Sequence, residues 1–573
     1  VNDKSLFSPT LSCVPFTPHD DGNRLGMSAN FLRQSLVLTN PELPYASTDY
    51  LEKLTAQSSF LIRAKKDGHL LYSDSQIVIW EEEGKIRTFK LPNSNWEVIH
   101  RPQFKAGDII VRHRNIINDR YATGINASVL FIPYKGWNYE DAIVVTETGA
   151  SKLRSISVEE YEIVINPNQI VTLFPTLGQH VIKGTELFTI LDAVQNTVNV
   201  ISLGAQKVSM HVKHTGVVEK IVAYFKKEAL PLHQSSDMFL DWVNKYSISK
   251  EIDNIKKTLS KVDLSYSKTI KQYFPESYDL PSPHSILVKI FVRTVKQFEV
   301  GDKLANRHGN KGVCSIIVPD SEVRASDGWI PDLVLNPLGV ISRMNVGQII
   351  EMHIGQIIHT VKQRCLQSGD MNALFLLKQD LNALNEQISI NNLTYEIDLY
   401  EKFNQQRVLD LCQKYEVPVT KKYEITSGYP FEAGYGNMYW FPLVHTADAK
   451  ISFRADGPYQ TKSLQPTSSD NIPAGQRLGE MEIWSYFAYE AYNNIKETLE
   501  YKADDILAKE AMLAHTKESG LFPVQPDGIY SNHLLKLYLH ALTLDLDTES
   551  VISEEELTKV NMNLIDIVVE EEE

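Results

Sequence analysis

The chain has 573 residues, of which 43% are hydrophobic and 23% charged, and its formal net charge is −15. A chain of this length and balance is neither disordered throughout nor built on one core, and should divide into several packed modules. Its acidity excludes a protein that coats nucleic acid without specificity, and no apolar run reaches the roughly 20 residues that span a bilayer.

The opening Val1-Asn2-Asp3-Lys4 has no Met and no basic-then-apolar secretory form, so that end is expected to be processed, trimmed or incomplete. Residues up to about 125 read as short β-runs, such as Gly68-His69-Leu70-Leu71-Tyr72 and Gln76-Ile77-Val78-Ile79-Trp80. Within them, His19-Asp20-Asp21-Gly22-Asn23-Arg24 sets adjacent carboxylates beside an arginine. Such a cluster could position a metal or a phosphate, or simply neutralise itself on a surface. Farther on, Gly136-Trp137-Asn138-Tyr139-Glu140-Asp141 holds two consecutive carboxylates. On a strand they would face opposite ways, so a catalytic dyad is not expected.

An apolar step, a Gly-polar turn and a second apolar step recur at 104–110, 181–187 and 300–304. The pattern suits corners of small closed barrels, or three unrelated turns. Between about 246 and 275 the period becomes helical, with Ile248, Ile252, Ile255, Leu259 and Val262 on one face and lysines elsewhere. That helix is either a partner-docking tip or a face packed on its own barrel.

Basic charge then gathers. From Lys289 to Lys311 six basic residues stand against Glu299 and Asp302. Inside lies Gly301-Asp302-Lys303-Leu304-Ala305-Asn306-Arg307-His308-Gly309-Asn310-Lys311-Gly312, where two lysines flank a loop. If short strands hold its ends, both ammonium groups can converge on one polyanion, with Gly309 and Gly312 allowing close backbone approach. The order is not that of a Walker loop, and a solvated basic loop stays open as the alternative. Asn336-Pro337-Leu338-Gly339-Val340-Ile341-Ser342-Arg343 reads as a rigid turn into a helix starting near Ser342, either an anion site or a capped helix with a surface arginine. Helical pattern returns at 345–415 and 483–507, and the acidic end reads as solvated surface or frayed tail. Cys13, Cys314, Cys365 and Cys412 form no C-x-x-C pair, which suits free thiols in a reducing, cytoplasmic setting with no zinc.

In their order along the chain these clusters resemble the β subunit of bacterial-type multisubunit RNA polymerases. Residues 301–313 resemble the family's GDKxAxRHGNKGV, and 334–348 its VLNPLGVPSRMNxGQ with Ile341 in place of the Pro. Residues 19–34 are similar to HDDANRALMGANMQRQ, 136–141 to GYNFED, and 475–484 to GQRFGEMEVW, followed by a matching Lys502-Ala503-Asp504-Asp505. The likeness runs from about 19 to 550. Where the family often reads KMHAR this chain reads Lys450-Ile451-Ser452-Phe453-Arg454 and lacks that His, while His445 upstream matches.

The resemblance implies an α+β multidomain chain, β-rich, around half of a double-psi barrel, with a flap insertion and a helical C-terminal clamp anchor. It implies a first barrel part and fork-side segments at 1–150, a flap at 151–290 with a helical tip near 246–275, and a second barrel part at 291–360. A helical connector at 361–440, a hybrid-binding and clamp-anchor segment at 441–520 and a C-terminal segment at 521–573 would follow. Lys303 and Lys311 would meet the RNA 3′ end and the α-phosphate side of the incoming nucleotide, and Arg24 and Arg343 its triphosphate. Asp21, Asn23, Arg307 and His308 would line the substrate, and Lys450, Arg454 and His445 would face nucleic acid. Glu140 and Asp141 would lie near a second Mg²⁺ whose main ligands sit on a β′-like partner, since this chain has no NADFDGD run. The other expected partners are a chain supplying the N-terminal part of β, a sigma-like initiation factor at the flap, template DNA, transcript and nucleoside triphosphates. A β subunit split in two resembles large DNA phages, which places the protein in infected bacterial cytoplasm, inactive alone. The competing reading is a non-catalytic scaffold or nucleic-acid-binding remnant of a β subunit.

Overall fold

The computed structural model describes residues 7–545 except 74–76, 92–94, 193–206, 227–228, 234, 248–249, 251–283, 326, 370–371, 381–393, 398, 400–401, 403, 425–429, 456, 470–471, 504–505 and 520–529. It divides into two compact units, Val1–Lys450 and Ile451–Glu573.

The first unit is organised by a barrel of six strands: β1 (Ile125–Phe131), β2 (Ala142–Thr146), β3 (Lys303–Asn306), β4 (Lys311–Val318), β5 (Leu333–Leu335) and β6 (Pro430–Pro442). Their order is β1-β5-β2-β4-β3-β6, and β6 pairs back onto β1, so the ring closes. Two pairings, β1 with β5 and β2 with β4, are parallel, and the rest are antiparallel. This is a closed double-psi barrel; the resemblance implied half of one, but all six strands come from this chain.

The strands are apolar on both faces because both are covered. Ile125, Ala127, Val129 and Phe131 share one buried cluster with Leu304, Met352 and Trp440, while Leu130, Ile132 and Val144 fill another with Val334 and Tyr435. Helix α1 (Gly22–Arg33) lays Leu25 and Leu32 against Ala305, Tyr439 and Phe441. Helix α2 (Leu338–Arg343) is short, and α3 (Gly347–Ser368) packs Met352 into the first cluster.

Between β2 and β3 the chain leaves the barrel. Ser155–Ile165 and Ile286–Lys296 pair antiparallel along their whole length, and Gly216–Tyr224 extends the sheet. A second sheet, Gln169–Leu173 with Glu186–Asp192 and Lys207–His211, and the helix Asp237–Lys245 complete this module around Phe188, Phe239 and Trp242. Its root is tied to the barrel side by His214, which bonds Glu159 through Nδ1 and Asp448 through Nε2 (2.8 Å). The amphipathic stripe at 248–262 lies outside the described residues. The span 361–440 holds the helix Gln405–Lys414, but also the strands Tyr395–Ile397 and Thr420–Glu424 and most of β6.

The second unit has helices Glu480–Ala488, Tyr492–Lys496, Ile506–Ser519 and Tyr530–Ala541. Its loops before 480 are fastened by Arg454, whose guanidinium donates to the carbonyls of Pro458, Thr467 and Pro473. All four cysteines are unpaired thiols, and among the described residues no helix is long and apolar enough to cross a membrane.

Candidate nucleotide and nucleic-acid site

The two lysines of the motif converge because of strand register. In the β3–β4 hairpin Lys303 lies opposite Val313 and Ala305 opposite Lys311. Lys303 and Lys311 are therefore diagonal neighbours on one face of the ladder, a spacing of about 7–8 Å between backbones. Ala305, opposite Lys311 on that same face, is fully buried. The Lys311 ammonium rests 4.9 Å from the centre of the Phe31 ring on α1.

A third ammonium joins them. Asp302 accepts from the backbone of Ala447 (2.8 Å) and of Glu299 (3.0 Å), which fixes the turn Ala447–Lys450 against the base of the hairpin. His445 is held in the same place, its carbonyl accepting from Lys303 N (3.3 Å) and its Nε2 meeting Gln34 Oε1 (3.1 Å). Burial, then the charges of Lys303 and Lys450, lowers the Lys311 pKa; burial and all three lysines lower that of His445. The His445 ring is thus neutral at pH 7, with Nε2–H donating to Gln34. Among the described residues, no carboxylate pairs with Lys303, Lys311 or Lys450. Three neighbouring cations with no paired carboxylate among the described residues form a site tuned for an anion.

Arg24 stands at the loop of the hairpin, with Arg343 near it. Asp21 caps α1, accepting from Asn23 N (3.0 Å) and Arg24 N (3.4 Å), and so starts the helix that carries Arg24. Arg24 Nη1 reaches Gly309 O at 3.5 Å, and Arg343 is paired with Asp141. Burial, then the charge of Arg343, lowers the Arg24 pKa, with Asp141 and Asp21 acting in the opposite sense. The loop between the strands approaches α1 so closely that a Cβ on Gly309 would lie 2.4 Å from Arg24 O, and its φ of +73° is one side chains avoid. On the neighbouring strand a Cβ on Gly312 would sit 2.3 Å from Asp141 O.

Several expectations change. Arg343 ends α2 rather than beginning a helix: Asn336 Oδ1 caps Leu338 N (3.0 Å), and Met344 closes the turn with a left-handed φ of +53°. Arg307 and His308, expected at the substrate, are in the core, 3% and 0% exposed. Arg307 pairs with Glu351, and His308 lies between Asp20 (2.6 Å) and Glu351 (2.5 Å). Arg454 donates to loop carbonyls in the second unit, and the Asp21 carboxylate accepts from backbone N–H groups at a helix end. Asn23 is exposed, one residue before Arg24. Asp20, Asp302 and Glu351 have roles that the sequence reading did not assign. Glu351 carried a usable signal, a carboxylate among apolar neighbours on a long helix.

The Mg²⁺ implied by the resemblance finds no cage in these residues. Glu140 is exposed in a turn with φ +52°, and Asp141 is taken by Arg343. Among the described residues no three His, Cys, Asp or Glu side chains are arranged so that they could hold a metal ion. Glu140 and Asp141 alone do not fit a resident metal.

A closed double-psi barrel presenting three lysines and two arginines around one hairpin defines a barrel protein with a cationic site. The chain belongs to the family RNA polymerase Rpb2, domain 6, which matches residues 12–470. It is similar to the DNA-directed RNA polymerase subunit beta of Streptococcus pneumoniae (strain ATCC 700669 / Spain 23F-1), at 29% identity over 95% of this chain and 43% of the relative. The subunit beta of Streptococcus agalactiae serotype Ia is 28% identical over 95% of this chain and 44% of its own length. The chain thus spans less than half the length of these curated relatives.

Proposed function

We propose that this chain is the C-terminal part of the β subunit of a bacterial-type, multisubunit DNA-directed RNA polymerase and works only within that complex. The observation that carries the reading is the convergence of Lys303, Lys311 and Lys450 with no carboxylate paired to them among the described residues. Nucleotidyl transfer needs positive charge where negative charge builds on the phosphates, and Lys303 and Lys311 supply it at the RNA 3′ end and the α-phosphate side. Arg24 and Arg343 hold the triphosphate, with the Arg343–Asp141 pair exchanging its carboxylate for phosphate as the nucleotide enters. Neutral His445 keeps the lysine pocket from accumulating a fourth charge. Mg²⁺ is held by carboxylates of a β′-like companion, with Asp141 and Glu140 nearby.

The remaining partners follow the same reading: a chain supplying the N-terminal part of β, template DNA, transcript and nucleoside triphosphates, and a sigma-like factor on the 151–290 module. A divided β of the kind found in large DNA phages, acting in infected bacterial cytoplasm, is the setting proposed. The test is the double change Lys303→Ala/Lys311→Ala in the assembled complex. Nucleotide addition is expected to be abolished while co-purification of the companion subunits is unchanged. Normal elongation by that double variant would replace this reading with a non-catalytic scaffold.

A further inference from the structure

The groups expected to touch substrate come from three separate stretches: Arg24 on α1, Lys303 and Lys311 on the β3–β4 hairpin, and Arg343 just before α3. One buried side chain joins all three. His308 sits in the hairpin loop with no exposure. Its Nδ1 meets Asp20 Oδ2 at 2.6 Å, immediately before α1, and its Nε2 meets Glu351 Oε2 at 2.5 Å on α3. The contacts continue outward. The other Asp20 oxygen accepts from Gly347 N at 2.9 Å, at the start of α3, and Glu351 Oε1 accepts from Arg307 and from Tyr439 N (3.0 Å) on β6. The loop backbone is pinned too, with Asn345 Nδ2 donating to His308 O at 3.1 Å and His308 N donating to Asn306 Oδ1 at 2.9 Å.

Two carboxylates within hydrogen-bond reach of both ring nitrogens require both nitrogens to carry protons. The charged groups facing the ring are Asp20 ahead of α1 and Glu351 on α3, while Arg307 on its own hairpin balances the second charge of the set. Burial by itself would lower the His308 pKa, but Asp20 and Glu351 outweigh it and hold the group up at about 9.

We infer that His308 is a positioning residue: as an imidazolium clamped between Asp20 and Glu351, it sets the spacing between the arginines and the lysines of the nucleotide site. The inference rests on the polymerase reading above. Because His308 touches no substrate, its loss should leave nucleotide affinity largely in place and misalign the reacting groups, a fault of the chemical step.

The test uses the assembled polymerase and single-nucleotide addition. His308→Gln leaves a buried carboxylate unmatched and can impair folding. It is therefore paired with the charge-matched double variant His308→Gln/Asp20→Asn, which removes one positive and one negative charge together. The double variant is expected to assemble, to lose about 10- to 100-fold in kcat with KM for nucleotide changed less than about threefold, and to lose the wild-type fall in rate as pH rises through about 9. A double variant with wild-type kcat would overturn the inference, and so would one that keeps the alkaline fall. The Lys303→Ala/Lys311→Ala enzyme, run alongside, separates the two failures. If it is dead while the double His308 variant is normal, the polymerase reading stands and the positioning role is wrong; if it is active, the reading of the site itself fails.

Discussion

Replacing Gly309 with Ala probes the contact between the lysine hairpin and the arginine helix. The backbone there has φ +73°, and placing an L side chain in that conformation costs roughly 1–2 kcal/mol. The new Cβ would also stand 2.4 Å from Arg24 O and 3.0 Å from Arg24 C and Cα. Ordinary contact needs about 1 Å more, so hairpin and helix must part, and the two effects together should cost about 2–4 kcal/mol. Gly328→Ala is the control, since Gly328 has φ +87° but nothing within 4 Å of its Cβ, and should show the conformational cost alone. Urea unfolding of the chain measures the stability difference, and nucleotide addition by the assembled enzyme measures the consequence. A separation of about 1 Å between Arg24 and the lysines predicts a loss on the order of 100-fold in rate for Gly309→Ala only. Equal stability and equal activity for the two variants would refute the reasoning.

Two more predictions concern charge. Burial would raise the Glu351 pKa, but Arg307 and His308 hold it down at about 2, so its contribution to stability is full above the ordinary value of 4.5 and is lost as pH falls towards 2. His308 has the opposite sign, its contribution being full below 6.5 and lost as pH rises through about 9. Glu351→Gln should therefore cost about 3–5 kcal/mol near pH 7 and progressively less in acid, followed by denaturation at a series of pH values; a pH-independent difference would refute the buried-pair account. Lys450→Ala should weaken nucleic-acid binding by the assembled enzyme and reduce the slope of log affinity against log salt by about 1. An unchanged slope would show that this ammonium meets no phosphate.

The hairpin was legible because its determinants are local. Two lysines at either end of a short loop, with glycines at the turn, imply convergence once strands form, and β3 and β4 supply them. Arg307 and His308 were misplaced because their partners are remote in sequence: the acids that bury His308 lie 288 and 43 residues away. A basic loop and a buried ionic network look alike until those acids are located. The start of α2 was missed for a different reason. Ser342 looks like a helix cap, but the helix begins at Leu338, whose N–H donates to Asn336 Oδ1, and it is ending by Met344. Closure of the barrel was beyond local reading, because β6 lies in a span whose flanking pattern is helical.

That last strand also sets a timetable. The hydroxyl of Tyr439 on β6 accepts from the backbone of Gly124, 315 residues earlier in the chain, beside the first barrel strand. Contacts this remote form late and slowly, and a chain emerging from the ribosome cannot make them until the distant partner has been translated. The lysine hairpin therefore stays without its β6 neighbour until about 110 further residues have been translated, and β1 waits for about 300. Nascent fragments that stop short of residue 430 should expose the unpaired edges of β1 and β3, the condition in which strands of separate molecules pair with each other.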